Sequence, residues 1–184
     1  LTDVDSDGTL DIALSNNGGV SVYLNTGNGI FASPTLYSIS ETPQGLALGD
    51  LNGDTEPDMV AAKSNGGTTV AVLLNTGSGT FGAEIDYTVS GQNIISASLG
   101  DMNSDGNLDI IAGSTNSGNC AVNVLLGNGD GTFGANTGYT QSGTASACVA
   151  VVADVNTDGK PDVMISNTAT TVNVLLATDG GDFN

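Results

Sequence analysis

The 184-residue sequence has no histidine and no tryptophan, and Lys63 and Lys160 are its only basic residues. Without histidine, the chain cannot form a Ser-His-Asp or Cys-His catalytic site, and it cannot bind zinc or copper through imidazole. Nucleic-acid binders gain most of their affinity from lysine and arginine, and anionic membrane surfaces attract the same residues. We therefore expect no nucleic-acid partner and no insertion into a membrane.

Long apolar runs and strong helix formers are scarce as well. No apolar run reaches the roughly 18 residues that a transmembrane helix needs. The chain opens with LTDVDSDG, inside a repeated motif, as a processed mature protein or an excerpt would. Serine, threonine, asparagine and glycine are abundant, whereas lysine, glutamate and arginine are rare, and this balance favours an all-β fold.

Acidic residues, by contrast, are plentiful, and they give the chain a formal net charge of −18. Most of them fall in four copies of one motif: DVDSDGTLD from Asp3, DLNGDTEPD from Asp50, DMNSDGNLD from Asp101 and DVNTDGKPD from Asp154. A second, glycine-rich motif follows each copy and ends at Phe31, Phe81, Phe133 and Phe183. A period of about 50 residues is typical of propellers, solenoids or arrays.

The second repeat shows how one unit folds. Its pattern predicts strands over Gln44–Leu51, Asp58–Lys63, Thr68–Asn75 and Phe81–Val89, separated by glycine-rich turns and by the acidic loop. Four such strands form an antiparallel sheet, which is the blade of a β-propeller. We therefore predict an all-β propeller of four four-stranded blades in a single domain, 1–184. The repeats span about 1–41, 42–91, 92–143 and 144–184.

The two ends of the chain are incomplete by this scheme. The first repeat has no residues for its opening strand, and the fourth has none for its last strand. Exposed sheet edges would result, and such edges pair readily with other strands. Two interpretations stay open: the chain is an excerpt of a larger propeller, or a strand from another copy fills the gap.

The acidic motif has the chemistry of a calcium loop. Calcium prefers six to eight oxygen ligands, and oxygens at motif positions 1, 3 and 5 can surround one ion when a glycine at position 6 permits the turn. An EF-hand is excluded because position 12 is apolar and the flanking segments are strands. Asp, Asn and Gly also make good turns, but this explains one copy rather than a fixed spacing that occurs four times.

The pattern D-x-[DN]-x-D-G-x-x-D, followed by L-L-N-x-G-x-G-x-F, resembles the FG-GAP/VCBS repeat of integrin-α-like calcium-binding β-propellers over essentially the whole chain. The resemblance implies about one calcium ion per repeat, four in total. It implies side-chain ligands at positions 1, 3, 5 and 9 and a backbone carbonyl at position 7. The expected ligands are Asp3, Asp5, Asp7, Thr9 and Asp11; Asp50, Asn52, Asp54, Glu56 and Asp58; Asp101, Asn103, Asp105, Asn107 and Asp109; and Asp154, Asn156, Asp158, Lys160 and Asp162.

The second copy departs from the pattern because Thr55 replaces the glycine at position 6, and Gly53 stands at position 4. This departure predicts a different turn or a lower affinity. Separately, Cys120 and Cys148 each open a predicted strand, at the end opposite the acidic loops. They fit a disulfide between neighbouring blades in an oxidising compartment, or two small buried side chains.

These observations and the resemblance predict a non-enzymatic, secreted or cell-surface module with a structural or adhesive role. Unpaired blade edges would let copies of the chain assemble into a filament, sheath or surface layer. The alternative is a carbohydrate- or protein-ligand-binding propeller in a larger secreted protein. Sugar sites usually stack on aromatic faces, and this chain has only four tyrosines. No catalytic residue is predicted, since the clustered carboxylates all belong to the loops.

Overall fold

The structure is a computed structural model that describes residues 1–64, 66–141, 148–168, 171–178, 180 and 182–183. The described residues form strands and turns without a helix. The strands are β1 (Ile12–Asn16), β2 (Gly19–Tyr23), β3 (Thr35–Ser38), β4 (Pro43–Gly49), β5 (Asp58–Lys63), β6 (Thr69–Leu73), β7 (Ile85–Thr88), β8 (Gln92–Gly100), β9 (Asp109–Asn116), β10 (Asn119–Leu125), β11 (Thr137–Gln141), β12 (Ala150–Ala153), β13 (Asp162–Thr168) and β14 (Thr171–Leu175).

The strands form four antiparallel sheets in chain order. Sheet 1 contains β1–β3, sheet 2 contains β4–β7, sheet 3 contains β8–β11 and sheet 4 contains β12–β14. Each sheet lies within one of the four sequence repeats. Sheets 2 and 3 have four strands, whereas the described parts of sheets 1 and 4 have three. Four-stranded sheets are therefore confirmed for the two inner repeats, and the three described strands of sheets 1 and 4 agree with the expectation that the terminal repeats are incomplete.

The predicted strands of the second repeat match the structure closely except for the last. The strand over Asp58–Lys63 has the predicted bounds. The fourth strand was expected from Phe81 but begins at Ile85, opposite Val72 of β6. Phe81 instead forms an isolated bridge with Asn75. The bridge closes the glycine-rich turn, so the chain must turn back before it can pair with β6.

Apolar clusters fill the spaces between successive sheets. One packs sheet 1 on sheet 2, a second packs sheet 2 on sheet 3, and a third packs sheet 3 on sheet 4. Alternating valines of β2, β6 and β10 supply one side of each cluster, as Val70 and Val72 of β6 do, because alternate side chains of a strand share a face. No such cluster joins sheet 4 to sheet 1 in the described part of the chain.

Aromatic pairs and the first strands reinforce the same order of sheets. An edge-to-face contact joins Tyr37 to Phe81 with ring centroids 5.2 Å apart, and it has counterparts at the two later junctions. The first strands run close to one another: a Cβ added to Gly45 of β4 would lie 2.7 Å from the Cα of Ser96 in β8. Only glycine fits such an approach.

A disulfide joins Cys120 at the start of β10 to Cys148 ahead of β12, with the two Cα atoms 5.4 Å apart. The bond therefore links sheet 3 to sheet 4, and it decides between the two states that the sequence left open. Nothing in the described ranges forms a helix that is long and apolar enough to cross a membrane.

Candidate metal centre

The four acidic loops occupy the same place in the repeat, and in sheets 2, 3 and 4 each loop joins the first strand to the second. In sheet 2 the loop leaves β4 after Gly49 and enters β5 at Asp58, and these two residues face each other in the ladder. The loops of sheets 3 and 4 begin and end at equivalent pairs. In sheet 1, which has no opening strand, a bridge between Thr2 and Asp11 closes the loop. The ladder thus fixes both ends of each loop.

The aspartate at position 9 of each loop is buried and accepts two backbone hydrogen bonds. Asp11 accepts one bond from the N–H of Val4 at 2.8 Å and another from the N–H of Asn25 at 2.8 Å. Its counterparts are Asp58 with Leu51 (2.9 Å) and Asn75 (2.7 Å), Asp109 with Met102 (2.7 Å) and Gly127 (2.8 Å), and Asp162 with Val155 (3.1 Å) and Ala177 (2.9 Å). This carboxylate therefore ties its loop to the residues that follow β2, β6, β10 or β14 in the same sheet.

These bonds explain why the acidic motif and the glycine-rich motif recur together. The second donor always lies at the start of the glycine-rich turn, as Asn25 does in the first repeat. Sequence reasoning treated the two motifs separately and missed this link, although their fixed order was a usable signal. In addition, the side-chain amide of Asn75 donates to the carbonyl of Val4 at 2.8 Å, which joins the loop of sheet 1 to the turn of sheet 2.

The aspartate at position 1 makes the loop curl on itself. One carboxylate oxygen of Asp101 accepts the N–H of Asp105 at 3.0 Å, and the other accepts the N–H of Gly106 at 2.9 Å. The position-5 aspartates accept the N–H two residues later, as Asp105 does from Asn107 at 2.8 Å. This hydrogen bond lowers the pKa of Asp105. The backbone therefore orients the loop oxygens.

The turn of the second loop follows the same course as the others. Positions 4 and 6 have positive φ in all four loops, with 78° at Gly53 and 75° at Thr55 in the second. In the third loop the corresponding angles are 61° at Ser104 and 89° at Gly106. Glycine has moved from position 6 to position 4, but the backbone path is retained. The expectation of a different turn is wrong, and a lower affinity stays a prediction.

The first loop gathers carboxylates most closely. Oxygens of Asp3, Asp5 and Asp11 lie within 4.8 Å of one another, and Asp11 is buried. Desolvation, followed by repulsion from Asp11 and Asp7, raises the pKa of Asp5. The other loops carry asparagine at position 3, so they bring together fewer charges. Burial also raises the pKa of Asp58 and Asp109, against the lowering effect of their backbone donors.

An all-oxygen donor set of this kind fits a hard cation such as calcium or magnesium. Positions 1, 3 and 9 of the first loop already converge, whereas Asp7 lies outside that group. The remaining ligands, including the carbonyls of Thr9, Glu56, Asn107 and Lys160, stay predictions. Lys63 does not serve as a counter-charge for any loop, because its ammonium is buried against Glu84 at 2.9 Å and Asp86 at 2.7 Å.

Comparison with known proteins assigns the chain to a family. The model of the FG-GAP-like repeat matches three times, over residues 3–61, 50–112 and 101–165. The chain therefore belongs to the FG-GAP-like repeat family, as the two motifs predicted. No curated protein matches it.

Two solved structures show the same fold. One belongs to a study of how a lectin from Agrocybe aegerita recognises non-reducing terminal N-acetylglucosamine. It is 24% identical, has a TM-score of 0.64, and the match covers 99% of this chain and 49% of the lectin chain. The other is the Tc holotoxin pore of Photorhabdus luminescens, with 19% identity, a TM-score of 0.54, and coverage of 95% of this chain and 9% of that chain. The chain thus spans about half the lectin and a small part of the toxin.

Proposed function

We propose that the chain is a non-enzymatic, calcium-binding β-propeller module with a structural or adhesive role outside the cell. The observation that carries this proposal is the acidic loop itself, present four times at one place in the sheets. In its first copy three carboxylates converge, and one of them is that of the buried Asp11. Bound calcium would neutralise this charge, and the oxygens of the loop residues would hold it between the first two strands.

The binding energy available from such sites is large compared with the stability of a domain. Extracellular modules bind calcium with a dissociation constant of roughly 10⁻⁴ M. At about 2 mM free calcium, each site would stabilise the fold by roughly 1.8 kcal/mol. Four independent sites would supply about 7 kcal/mol, against a typical domain stability of roughly 5–15 kcal/mol. Calcium would therefore decide whether the module is folded.

The role that we propose includes assembly of copies through strand edges. In sheets 2 and 3 the strands that correspond to β1 and β14 are paired on both sides, whereas β1 and β14 each have one neighbour among the described strands. Such an edge offers a row of N–H and C=O groups to an added strand. A strand from another copy would extend the sheet and link the modules into a filament, sheath or surface layer.

A second candidate function is carbohydrate binding within a larger secreted protein, and the fold shared with the lectin favours it. Against it, three of the four tyrosines already pack edge-to-face against phenylalanines, which leaves little aromatic surface for stacking on sugars. A glycan array that includes glycans ending in N-acetylglucosamine tests this candidate. Binding above background would favour it over the structural role.

Thermal unfolding with and without calcium tests the leading proposal. We expect the melting temperature to fall by more than about 10 °C in excess EDTA, because about 7 kcal/mol is lost and 1 kcal/mol corresponds to about 2–4 °C in a domain of this size. Added calcium should restore the original melting curve, and magnesium should restore less of it. An unchanged curve in EDTA would contradict the proposal.

A further inference from the structure

The outer face of sheet 4 is an exposed apolar surface. It faces away from sheet 3, and Val149, Val151, Met164 and Val172 line a shallow hollow of about 260 Å³ there together with Ser166. Val174, opposite Met164 in the ladder, is also exposed on this face. Val172 is 64% exposed. No carboxylate belongs to this set of side chains, although the chain carries a net charge of −18. We call this surface the sheet 4 face.

The same positions are buried in the three earlier sheets. Val172 corresponds to Val20, Val70 and Val122 in the repeat, and all three are fully buried. Each of these valines belongs to the cluster that the following sheet covers. The repeat therefore builds the same face four times, and three of the four are covered by the next sheet. The valines of the sheet 4 face have the pattern of an interface rather than of a solvated surface.

The opposite end of the array presents the complementary face. On the outer side of sheet 1, Ile12 and Leu14 occupy the positions that are fully buried as Met59 and Ala61 in sheet 2, and Leu14 is 51% exposed. Phe31 gives the same result: it is 38% exposed, whereas Phe81, which receives a tyrosine from the preceding sheet, is 6% exposed. We call this surface, which includes Ser21 and Tyr23, the sheet 1 face.

We propose that the sheet 4 face of one copy packs against the sheet 1 face of a second copy, in the same order in which the sheets pack within the chain. This inference rests on the proposed self-assembly, and it moves the contact from strand edges to sheet faces. A head-to-tail contact follows because every internal junction joins a valine face to the opposite kind of face, and none joins two faces of the same kind. Such a contact closes into a ring or continues as a filament.

Association through these two faces joins separate molecules, so it should depend on concentration. It should strengthen with salt, because the acidic copies repel one another.

Sedimentation velocity over a range of concentrations, with calcium present, tests the inference. The variants are Val172→Lys on the sheet 4 face and Leu14→Lys on the sheet 1 face. The matched control is Ile85→Lys, which makes the same charge change at an apolar residue of β7 that is 45% exposed and lies on neither face. Far-ultraviolet circular dichroism checks that each variant is folded.

We expect wild type and Ile85→Lys to associate and each of the other two variants to be monomeric alone. A 1:1 mixture of Val172→Lys and Leu14→Lys should form dimers and nothing larger, because each variant keeps the face that the other lacks. Association of Leu14→Lys by itself, or loss of association in Ile85→Lys, would overturn the inference. If both face variants assemble like wild type, the faces are not the contact, but assembly through edges stands. A monomeric wild type would overturn both the inference and the proposed self-assembly.

Discussion

The inner sheets and the terminal sheets of this chain have the same sequence pattern and different surroundings. Sheets 2 and 3 are covered on both faces, whereas sheets 1 and 4 each have one face in solvent. Val70 in sheet 2 is buried, but Val172 at the same repeat position is exposed. A repeat pattern thus defines which face of a sheet is apolar, and only the neighbouring sheet decides whether that face is buried.

The position-9 aspartates give the largest expected contrast between inner and terminal sheets. We expect Asp109→Ala to cost roughly 2–5 kcal/mol, because two buried N–H groups lose their acceptor. Asp162→Ala should cost less, since sheet 4 can open locally without the rest of the array. Both variants lose one predicted metal ligand, so the difference between their losses in unfolding free energy shows how strongly each sheet is supported by its neighbours. Urea unfolding measures it, and equal losses would mean that sheet 4 is as well supported as sheet 3.

Loss of the disulfide should destabilise sheet 4 more than the other sheets, because the bond ties sheet 4 to sheet 3. Cys120 and Cys148 are 28 residues apart, and a bond closing such a loop contributes about 3.5 kcal/mol in the chain-entropy model. We expect reduction, or Cys120→Ala with Cys148→Ala, to raise hydrogen exchange in β12–β14 more than in β5 and β6. Exchange that rises uniformly in all four sheets would contradict this.

Paired valine substitutions test the comparison at a single repeat position. Val70→Ala should cost about 2 kcal/mol, because it leaves a cavity in the cluster between sheets 2 and 3. Val172→Ala should change stability by less than about 0.5 kcal/mol in dilute solution, where no second copy covers it. Chemical denaturation of both variants provides the measurement. A large loss for Val172→Ala in dilute solution would show that its face is already covered within one chain.

The smallest effect concerns Lys63 of inner sheet 2. Burial acts to lower the pKa of Lys63, but hydrogen bonds to Asp86 and Glu84 hold it above its usual value. Burial likewise acts to raise the pKa of Glu84, and the bonds from Lys63 and Ser40 hold it below its usual value. The stability supplied by Glu84 is present above its unfolded pKa near 4.5 and is lost as the pH falls through its folded pKa.

Lys63→Met should therefore cost about 1–2 kcal/mol near neutral pH, because Glu84 and Asp86 lose their partner while remaining partly in contact with water. The loss relative to wild type should shrink as the pH falls below about 4.5 and Glu84 becomes protonated. Melting curves from pH 3 to pH 7 check this. A difference between the two proteins that stays constant with pH would contradict the assignment.

Much of this architecture could be predicted from the sequence because the repeats provide four comparisons within one chain. The bounds of β5, the position of the acidic loops and the order of strands follow from alternation and from the turn residues. The late start of β7 could not be predicted, since Phe81 and Gly82 look like strand residues but close a turn. A local sequence pattern does not show at which residue after a turn the pairing between strands begins again.

The residues of the acidic loops could be identified from the sequence, but the hydrogen bonds that hold the loops in place could not. Spacing identified the four loops, and the resemblance to the FG-GAP/VCBS repeat supplied the expected ligand oxygens. Asp11 and its counterparts each join a loop to the following glycine-rich turn. This double role depends on contacts between residues 14 to 18 positions apart, and it needed the structure. The second loop was expected to turn differently because its glycine, Gly53, stands at position 4 instead of position 6. The turn is the same because both positions have positive φ, so glycine suits either one.

The most direct test of the account is the number of calcium ions that the folded chain binds. Native mass spectrometry and calorimetric titration of the EDTA-treated, dialysed protein should give four ions per chain. The combined variant Asp3→Asn and Asp5→Asn should give three, because it removes the side-chain charges that converge with Asp11. A wild-type chain that binds no calcium at millimolar concentration would contradict the central claim.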